Sequence, residues 1–229
     1  MRRLLTLVLL LLSGVSAPST ATVYLSEPEA VTIGDGPSSG SAYAYTNTVN
    51  GTPVHWDACA PIHWVFRASG APAGAFTVLK QVIAEIARDT TTTWVYDGQV
   101  SNLPTSTWLP RTVTNRAVLV GWSDAAHSNL LRAQGQSVLA VTQTSWVPTR
   151  GSGKILSAVM ALDGTERLTL SGAHSWRTVL LHEFGHAMGL AHAGGSSQLM
   201  YSNLSRSLSG LQTGDLTGLR RVGRAAGCL

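Results

Sequence analysis

Residues 182–192 read His182-Glu183-Phe184-Gly185-His186-Ala187-Met188-Gly189-Leu190-Ala191-His192, and this stretch decides how the whole chain is read. His182 and His186 stand four apart, so a helix puts both imidazoles on one face, aimed at one ion. Glu183, beside the first histidine, can reach a water held on that ion. Gly189 can end the helix, because glycine adopts the left-handed backbone that a tight exit needs. The chain can then turn back so that His192 supplies a third nitrogen. Three neutral imidazoles with one open position describe a catalytic zinc site, whereas a structural zinc is closed by protein ligands.

A site of this kind serves amide hydrolysis. Zinc lowers the pKa of a bound water to about 7 and polarises the scissile carbonyl. Glu183 is placed to take a proton from that water and hand it to the leaving amine. His-Glu-x-x-His alone arises on ordinary helices, but Gly189 and His192 at their offsets make the set specific. The expected metal ligands are therefore His182, His186 and His192, with Glu183 as the catalytic base.

The rest of the chain offers a scaffold for that helix. The spacing predicts a helix over 175–189 with Ser175 as N-cap, and Trp176, Leu180, Phe184 and Met188 form an apolar stripe away from the histidines. Strands are expected at 62–66, 94–96, 117–122, 137–142 and 155–162. Asp97-Gly98 should end the second strand, and Leu156, Ala158, Met160 and Leu162 should point inward from the last. A helix over 74–89 carries Phe76, Leu79, Val82, Ile83, Ile86 and Ala87 at helical spacing. A final helix over 213–225 turns Leu216, Leu219 and Val222 inward, and 99–116 reads as loop. This order implies an α/β (α+β) domain, a five-stranded mixed sheet with the motif helix beneath it.

Residues 1–21 read as a secretory signal. Arg2 and Arg3 precede an apolar run at 4–12 that is too short for a comfortable membrane span, and small residues lead to a cut after Ala21. Residues 22–53 are rich in Ser, Thr, Gly and Ala, with a turn-rich 34–40. They form an N-terminal arm, a short pro-segment or disorder. The catalytic domain is expected over 54–229.

The formal charge is +4. Losing 1–21 removes Arg2 and Arg3 and no acidic residue, so the excess falls to +2. That is small for a nucleic-acid binder, and Arg220, Arg221 and Arg224 read as one solvated helix face. The two cysteines, Cys59 and Cys228, should pair in an exported protein. Closing so long a loop contributes at most about 5 kcal/mol.

The extended pattern His182-Glu183-x-x-His186-x-x-Gly189-x-x-His192 resembles the metzincin zinc proteases. Met200, eight residues after His192 in Leu199-Met200-Tyr201, is similar to their methionine turn. Residues 183–190 resemble the matrixin branch in particular. Trp56 ahead of Ile62, Leu139-Ala140, and the run 211–223 with Asp215, Gly218 and Leu219 are also similar to matrixins. The resemblance covers about 54–226. It implies a twisted five-stranded mixed sheet with an active-site helix, a Met-turn and a C-terminal helix. It also implies a secreted, extracellular zinc endopeptidase acting on protein or peptide substrates. Substrate would lie extended along an edge strand at Leu139 and Ala140. The loop over 201–214 would wall an apolar pocket just after the cleaved bond.

Matrixins usually carry a second, structural zinc and calcium. Val141 stands where the edge-strand histidine for that zinc would be, and 155–162 holds no histidine. His127 with Asp124 is too little to rebuild the site. One catalytic zinc is therefore expected and no structural zinc, while calcium is left open by the few acidic residues. The latency cysteine motif of matrixin pro-segments is absent. Tyr201 follows Met200 directly and is assigned no ligand role, nor are His55, His63, His127 and His174. A monomer is expected, with no nucleic-acid partner and no membrane anchor once the signal is removed. Alternative readings are a narrow hydrolase of cell-wall peptides and an inactive binding module on the same fold.

Overall fold

Residues 117–122 are apolar apart from one glycine, which suits a strand covered on both faces. In the computed structural model they are such a strand. The structure describes residues 22–33, 40–108, 117–134 and 138–229. The expected signal at 1–21, most of the turn-rich 34–40, the end of the loop at 99–116, and Ser137 lie outside the described residues.

The arm contributes five short strands: β1 (Tyr24–Leu25), β2 (Glu29–Ile33), β3 (Ala44–Tyr45), β4 (Thr48–Val49) and β5 (Thr52–His55). There follow β6 (Ile62–Arg67), α1 (Ala75–Thr90), β7 (Trp94–Gln99), β8 (Ala117–Ser123), α2 (Asn129–Gln134), β9 (Val138–Pro148) and β10 (Gly153–Asp163). The motif helix is α3 (Trp176–Ala187), then come β11 (Leu190–Ala191), β12 (Asn203–Leu204) and α4 (Thr213–Val222). The main sheet runs β12-β2-β9-β10-β8-β6-β7. Strands β10, β8, β6 and β7 are parallel neighbours, and β9 is antiparallel to β10. The five strands expected from sequence are a continuous run of it, β9-β10-β8-β6-β7, ending on the outer strand β7. The arm extends it beyond β9.

Period-two alternation sorts the side chains into two apolar layers. Val118, Val120 and Trp122 of β8, Ile62, Trp64 and Phe66 of β6, and Met160 and Leu162 of β10 face α1 and α3. Each such side chain contributes about 1.5–3 kcal/mol when buried. Leu119, Val138, Val141, Val159 and Ala161 form a second cluster with Leu130 and Leu131 of α2. Val141 is thus packed among apolar side chains on the α2 side of the sheet.

Three expectations about single elements are corrected. Asp97-Gly98 does not end β7: Trp64 pairs with Tyr96 and Phe66 with Gln99, so β7 carries an extra residue there. This is a bulge, and Gly98 at φ 106° supplies its left-handed backbone. In β10 the register shifts between Ile155 and Ser157, which turns Ile155 inward and leaves Leu156 half-buried. In α4, Gly218 and Leu219 are buried while Leu216 is half-buried. The helix packs through its small residue instead.

Cys59 and Cys228 form a disulfide across 169 residues. It ties the chain before β6 to the last residues after α4. Among the described residues no helix is long and apolar enough to cross a membrane.

Candidate active site

The helix that bears the site is fixed at both ends by sequence-local chemistry. Ser175 Oγ accepts from the Thr178 amide at 3.4 Å, and Thr178 Oγ1 accepts from the Ser175 amide at 2.9 Å, a reciprocal capping box. Gly189, at φ 108°, makes the exit, and a Cβ there would meet Val54 O at 2.7 Å. The buried indole of Trp56 donates to Ala187 O at 2.8 Å, satisfying a carbonyl the helix end leaves over. Arg177 pairs with Glu85 and fastens α3 to α1.

After Gly189 the chain turns back and brings His192 against the two helix histidines. The ring centroids of His182, His186 and His192 lie 4.6, 4.7 and 5.3 Å apart. One nitrogen from each ring falls within 4.8 Å of the others. The orientation of each ring is set by its outer nitrogen. His182 Nδ1 donates to Leu199 O at 2.7 Å and His186 Nδ1 to Leu190 O at 2.8 Å. His192 Nδ1 lies 3.1 Å from Glu29 Oε2. Carbonyl oxygens only accept, so Nδ1 holds the proton in His182 and His186, and Nε2 turns inward with a lone pair.

That assignment puts two lone pairs face to face, because the Nε2 atoms of His182 and His186 are 2.9 Å apart. Protonation is a poor remedy. Burial holds His182 down at about 3 and His192 at about 4, and it pushes His186 well below its ordinary value. A divalent cation shared by the three nitrogens would relieve the repulsion. His192 Nε2 and Glu183 Oε1 are buried with no hydrogen-bond partner among the described residues, which fits the same cation and a water beside it. Three imidazoles with outer nitrogens held by carbonyls or a carboxylate are a zinc donor set.

Glu183 is fully buried. Its Oε2 accepts from Thr142 Oγ1 at 2.5 Å, leaving Oε1 for the site. Burial raises this carboxyl to about 8, and the nearby Glu29 adds to the rise, while the Thr142 hydrogen bond works against it. Met200 is fully buried beneath α3, so close to Gly185 that a Cβ there would come within 2.2 Å of Met200 Sδ. Asp215 at the start of α4 accepts from the amides of Leu199 and Met200 at 2.8 and 3.1 Å. It pins the turn that carries the methionine.

No curated protein matches the chain in sequence. The matrixin family matches it over residues 35–222. The chain belongs to the matrixin family. Matrixins are metalloproteases that depend on zinc in general. Among solved structures this matrixin is similar to metalloproteinase-II from Bacteroides fragilis, at 12% identity and a TM-score of 0.41. The match covers 76% of this chain and 57% of the other, so the chain spans little more than half of that protein's length.

Of the residues picked from sequence, His182, His186, His192, Glu183 and Met200 come together in this matrixin. Leu139 and Ala140 lie on β9, but β9 is not an outer strand: β2 pairs along it from Glu29 to Thr32. His55, His63, His127 and His174 stay outside the cluster. His63 pairs with Asp97 and His127 with Asp124. Tyr201 bridges to Ala193.

Sequence reasoning missed Glu29 and the partnership of Thr142 with Glu183. The β-branched run Val31-Thr32-Ile33 was the available sign that the arm forms a strand. Nothing local ties Glu29 to a histidine 163 residues away.

Proposed function

We propose that this matrixin is a secreted zinc endopeptidase that hydrolyses extended peptides. One observation carries the reading. One nitrogen from each of three imidazoles lies within 4.8 Å of the others, and His192 Nε2 and the oxygen Oε1 of Glu183, next in sequence to His182, are buried with no hydrogen-bond partner among the described residues.

His182, His186 and His192 would hold the zinc. When bound, the ion supplies Lewis acidity to a water and to a scissile carbonyl. The remaining work falls to the chain's own groups. Glu183 Oε1 takes the water's proton and later returns it to the amide nitrogen as the bond breaks. Thr142 holds the other oxygen, so the carboxylate keeps one orientation through both transfers. Leu199 O, Leu190 O and Glu29 hold the outer ring nitrogens, which fixes the tautomers. A peptide would lie along β9 in the place β2 takes in the structure, with 201–214 as the wall of the pocket after the cut bond.

A single zinc is proposed. Val141 belongs to the apolar cluster under α2, where an imidazole would have to be buried among leucines and valines. Export is supported by the leader-like 1–21 and by the disulfide. Arg221 stacks over Tyr43 and Arg224 donates to Ala58 O, which supports a structural reading of the basic cluster.

The test is zinc quantification and an unbiased peptide-library digest on the purified chain, with a chelator control. One equivalent of zinc and chelator-sensitive cleavage are expected. Two equivalents would contradict the single-zinc reading. No cleavage of any peptide would sink the enzyme.

A further inference from the structure

The parallel strands of the main sheet end in a crevice that the histidine site does not use. β6 ends at Arg67, β8 at Ser123 and β10 at Asp163, and β8 is the parallel neighbour of both the others. From β6 the chain leaves for α1 on one face and goes on to β7, away from β8. From β8 it leaves for α2 on the opposite face and goes on to β9 and β10, away from β6. Connections that part in opposite directions leave a gap beyond the strand ends, which is where open α/β sheets take their ligands. A pocket of about 310 Å³ lies there, and Arg67, Trp122, Ser123, Asp124 and Gly164 are among the residues that line it. It shares no residue with the histidine site.

This pocket is rich in donors and short of acceptors. Arg67 stands opposite Gly121 of β8. A Cβ on Gly121 would come within 3.0 Å of Arg67 Cβ and 3.6 Å of its Cδ, so the glycine lets the arginine stem lie across β8. Arg67 Nη1 donates to Trp122 O at 2.6 Å and to Ser69 O at 2.7 Å, which fixes the guanidinium. Its Nε is buried with no partner among the described residues, and so are Ser123 Oγ and the indole nitrogen of the fully buried Trp122. A guanidinium and an indole N–H only donate, so this end of the pocket suits no metal ion. A carboxylate brings two acceptor oxygens and a charge opposite to that of Arg67.

Asp124 sets the rest of the ligand. Its Oδ1 accepts from the amides of Ala126 and His127 at 2.9 and 3.0 Å and from His127 Nδ1 at 2.7 Å. Oδ2 takes part in none of these bonds. The hydrogen bond from His127 holds this carboxyl below its ordinary range, so it is charged at neutral pH. A charged Asp124 repels a multiply charged anion and attracts an ammonium group.

We propose that this pocket binds a zwitterion of amino-acid size, with Arg67 and Ser123 on its carboxylate and Asp124 on its ammonium. Such binding is independent of the peptidase reading.

The experiment titrates free leucine into the purified chain by isothermal calorimetry, with N-acetyl-leucine, leucinamide and inorganic phosphate beside it. Leucine is expected to bind at one site with a Kd below about 1 mM. The other three probes, each lacking one of the two charges or carrying too much of one, should bind at least about tenfold more weakly. Arg67→Gln should weaken leucine about 10- to 100-fold through loss of a charge-assisted pair. Ser123→Ala, which leaves the strand-end carbonyls with their arginine, should weaken it about tenfold and serves if the first variant does not fold. Asp124→Asn should weaken leucine and leave N-acetyl-leucine unchanged, because only leucine has the ammonium. No binding of leucine, leucine binding unchanged in Arg67→Gln or in Ser123→Ala, or phosphate or N-acetyl-leucine bound as tightly as leucine would each overturn the proposal.

Discussion

Thr142 Oγ1 lies 2.5 Å from Glu183 Oε2, joining β9 to α3 at the carboxylate proposed as the base. The hydroxyl favours the charged form of Glu183. Thr142→Val should therefore raise the acidic limb of the kcat/KM profile to higher pH, because the base must be ionised to accept a proton. A loss of about tenfold in kcat is expected, equivalent to one ordinary hydrogen bond. Thr142→Ser should restore both. A pH–rate profile on a library-derived peptide reads the result, and an unshifted limb in Thr142→Val would show that the hydroxyl does not tune the base.

Glu183→Ala removes the base without touching a ligand nitrogen. Zinc content should stay at that of the parent chain, while turnover falls by about 100- to 10,000-fold. Metal analysis and peptide cleavage on the same sample separate the two. Zinc lost along with activity would assign Glu183 to the ligand set instead.

The metal-free chain should show a pH window set by buried groups. His182, His186 and His192 are held below the usual histidine range, so the unfolded state binds more protons below about 6.5 and stability falls as pH drops. Glu183 and Glu29 are raised to about 8 and about 7, so the folded state keeps protons that the unfolded chain releases above its carboxylate pKa, and stability falls as pH rises. Between about 4.5 and 6.5 the two sets oppose each other, and above 6.5 only the carboxylates act. Without zinc, Tm should be lower at pH 8 than at pH 6.5. Glu183→Gln should flatten that fall, and a zinc-loaded chain, whose cation favours the carboxylate, should lack it. Thermal scans at the two pH values decide the matter.

Gly185→Ala would place a methyl within 2.2 Å of Met200 Sδ and 2.8 Å of Met200 Cε. The methionine must move, and the turn that holds it is pinned by Asp215. A destabilisation of about 1–3 kcal/mol is expected from this overpacking. Differential scanning calorimetry measures it. An unchanged Tm would mean that the turn gives way freely, contrary to its fixing by Asp215.

Replacing both Cys59 and Cys228 by Ser opens a loop of 169 residues. The loss should be about 2–5 kcal/mol, seen in urea unfolding as a lower midpoint. The site residues lie far from both sulfurs in sequence, so activity under native conditions should persist.

The grouping of the candidate site's residues was legible from sequence because its parts are local. His182, Glu183, His186 and Gly189 lie within one helix and its exit, and a periodicity of four is enough to aim them. Met200 could be placed because its spacing from His192 is short. The five central strands were legible for a related reason: β8 and β10 are covered on both faces and read as apolar runs. What stayed hidden depends on pairing across long separations. The bulge at Gly98 is defined only by the partner strand, and the slip at Leu156 only by register against β9. Helix α2 has two apolar residues, Leu130 and Leu131, too few to set a period. The arm's strand has five residues and no partner nearby in sequence, so neither its place on β9 nor the grip of Glu29 on His192 could be read in advance.

Strand β2 is hydrogen-bonded on both sides, to β9 and to β12. Any event that takes it away, by cutting or by displacement, bares two rows of backbone amides and carbonyls at once. Such rows invite a strand from another molecule. A chain with β2 out of place would then face a choice between gripping a peptide and gripping its own kind. Its colloidal behaviour should therefore depend on whether peptide is present, with clumping favoured in dilute substrate and suppressed in excess.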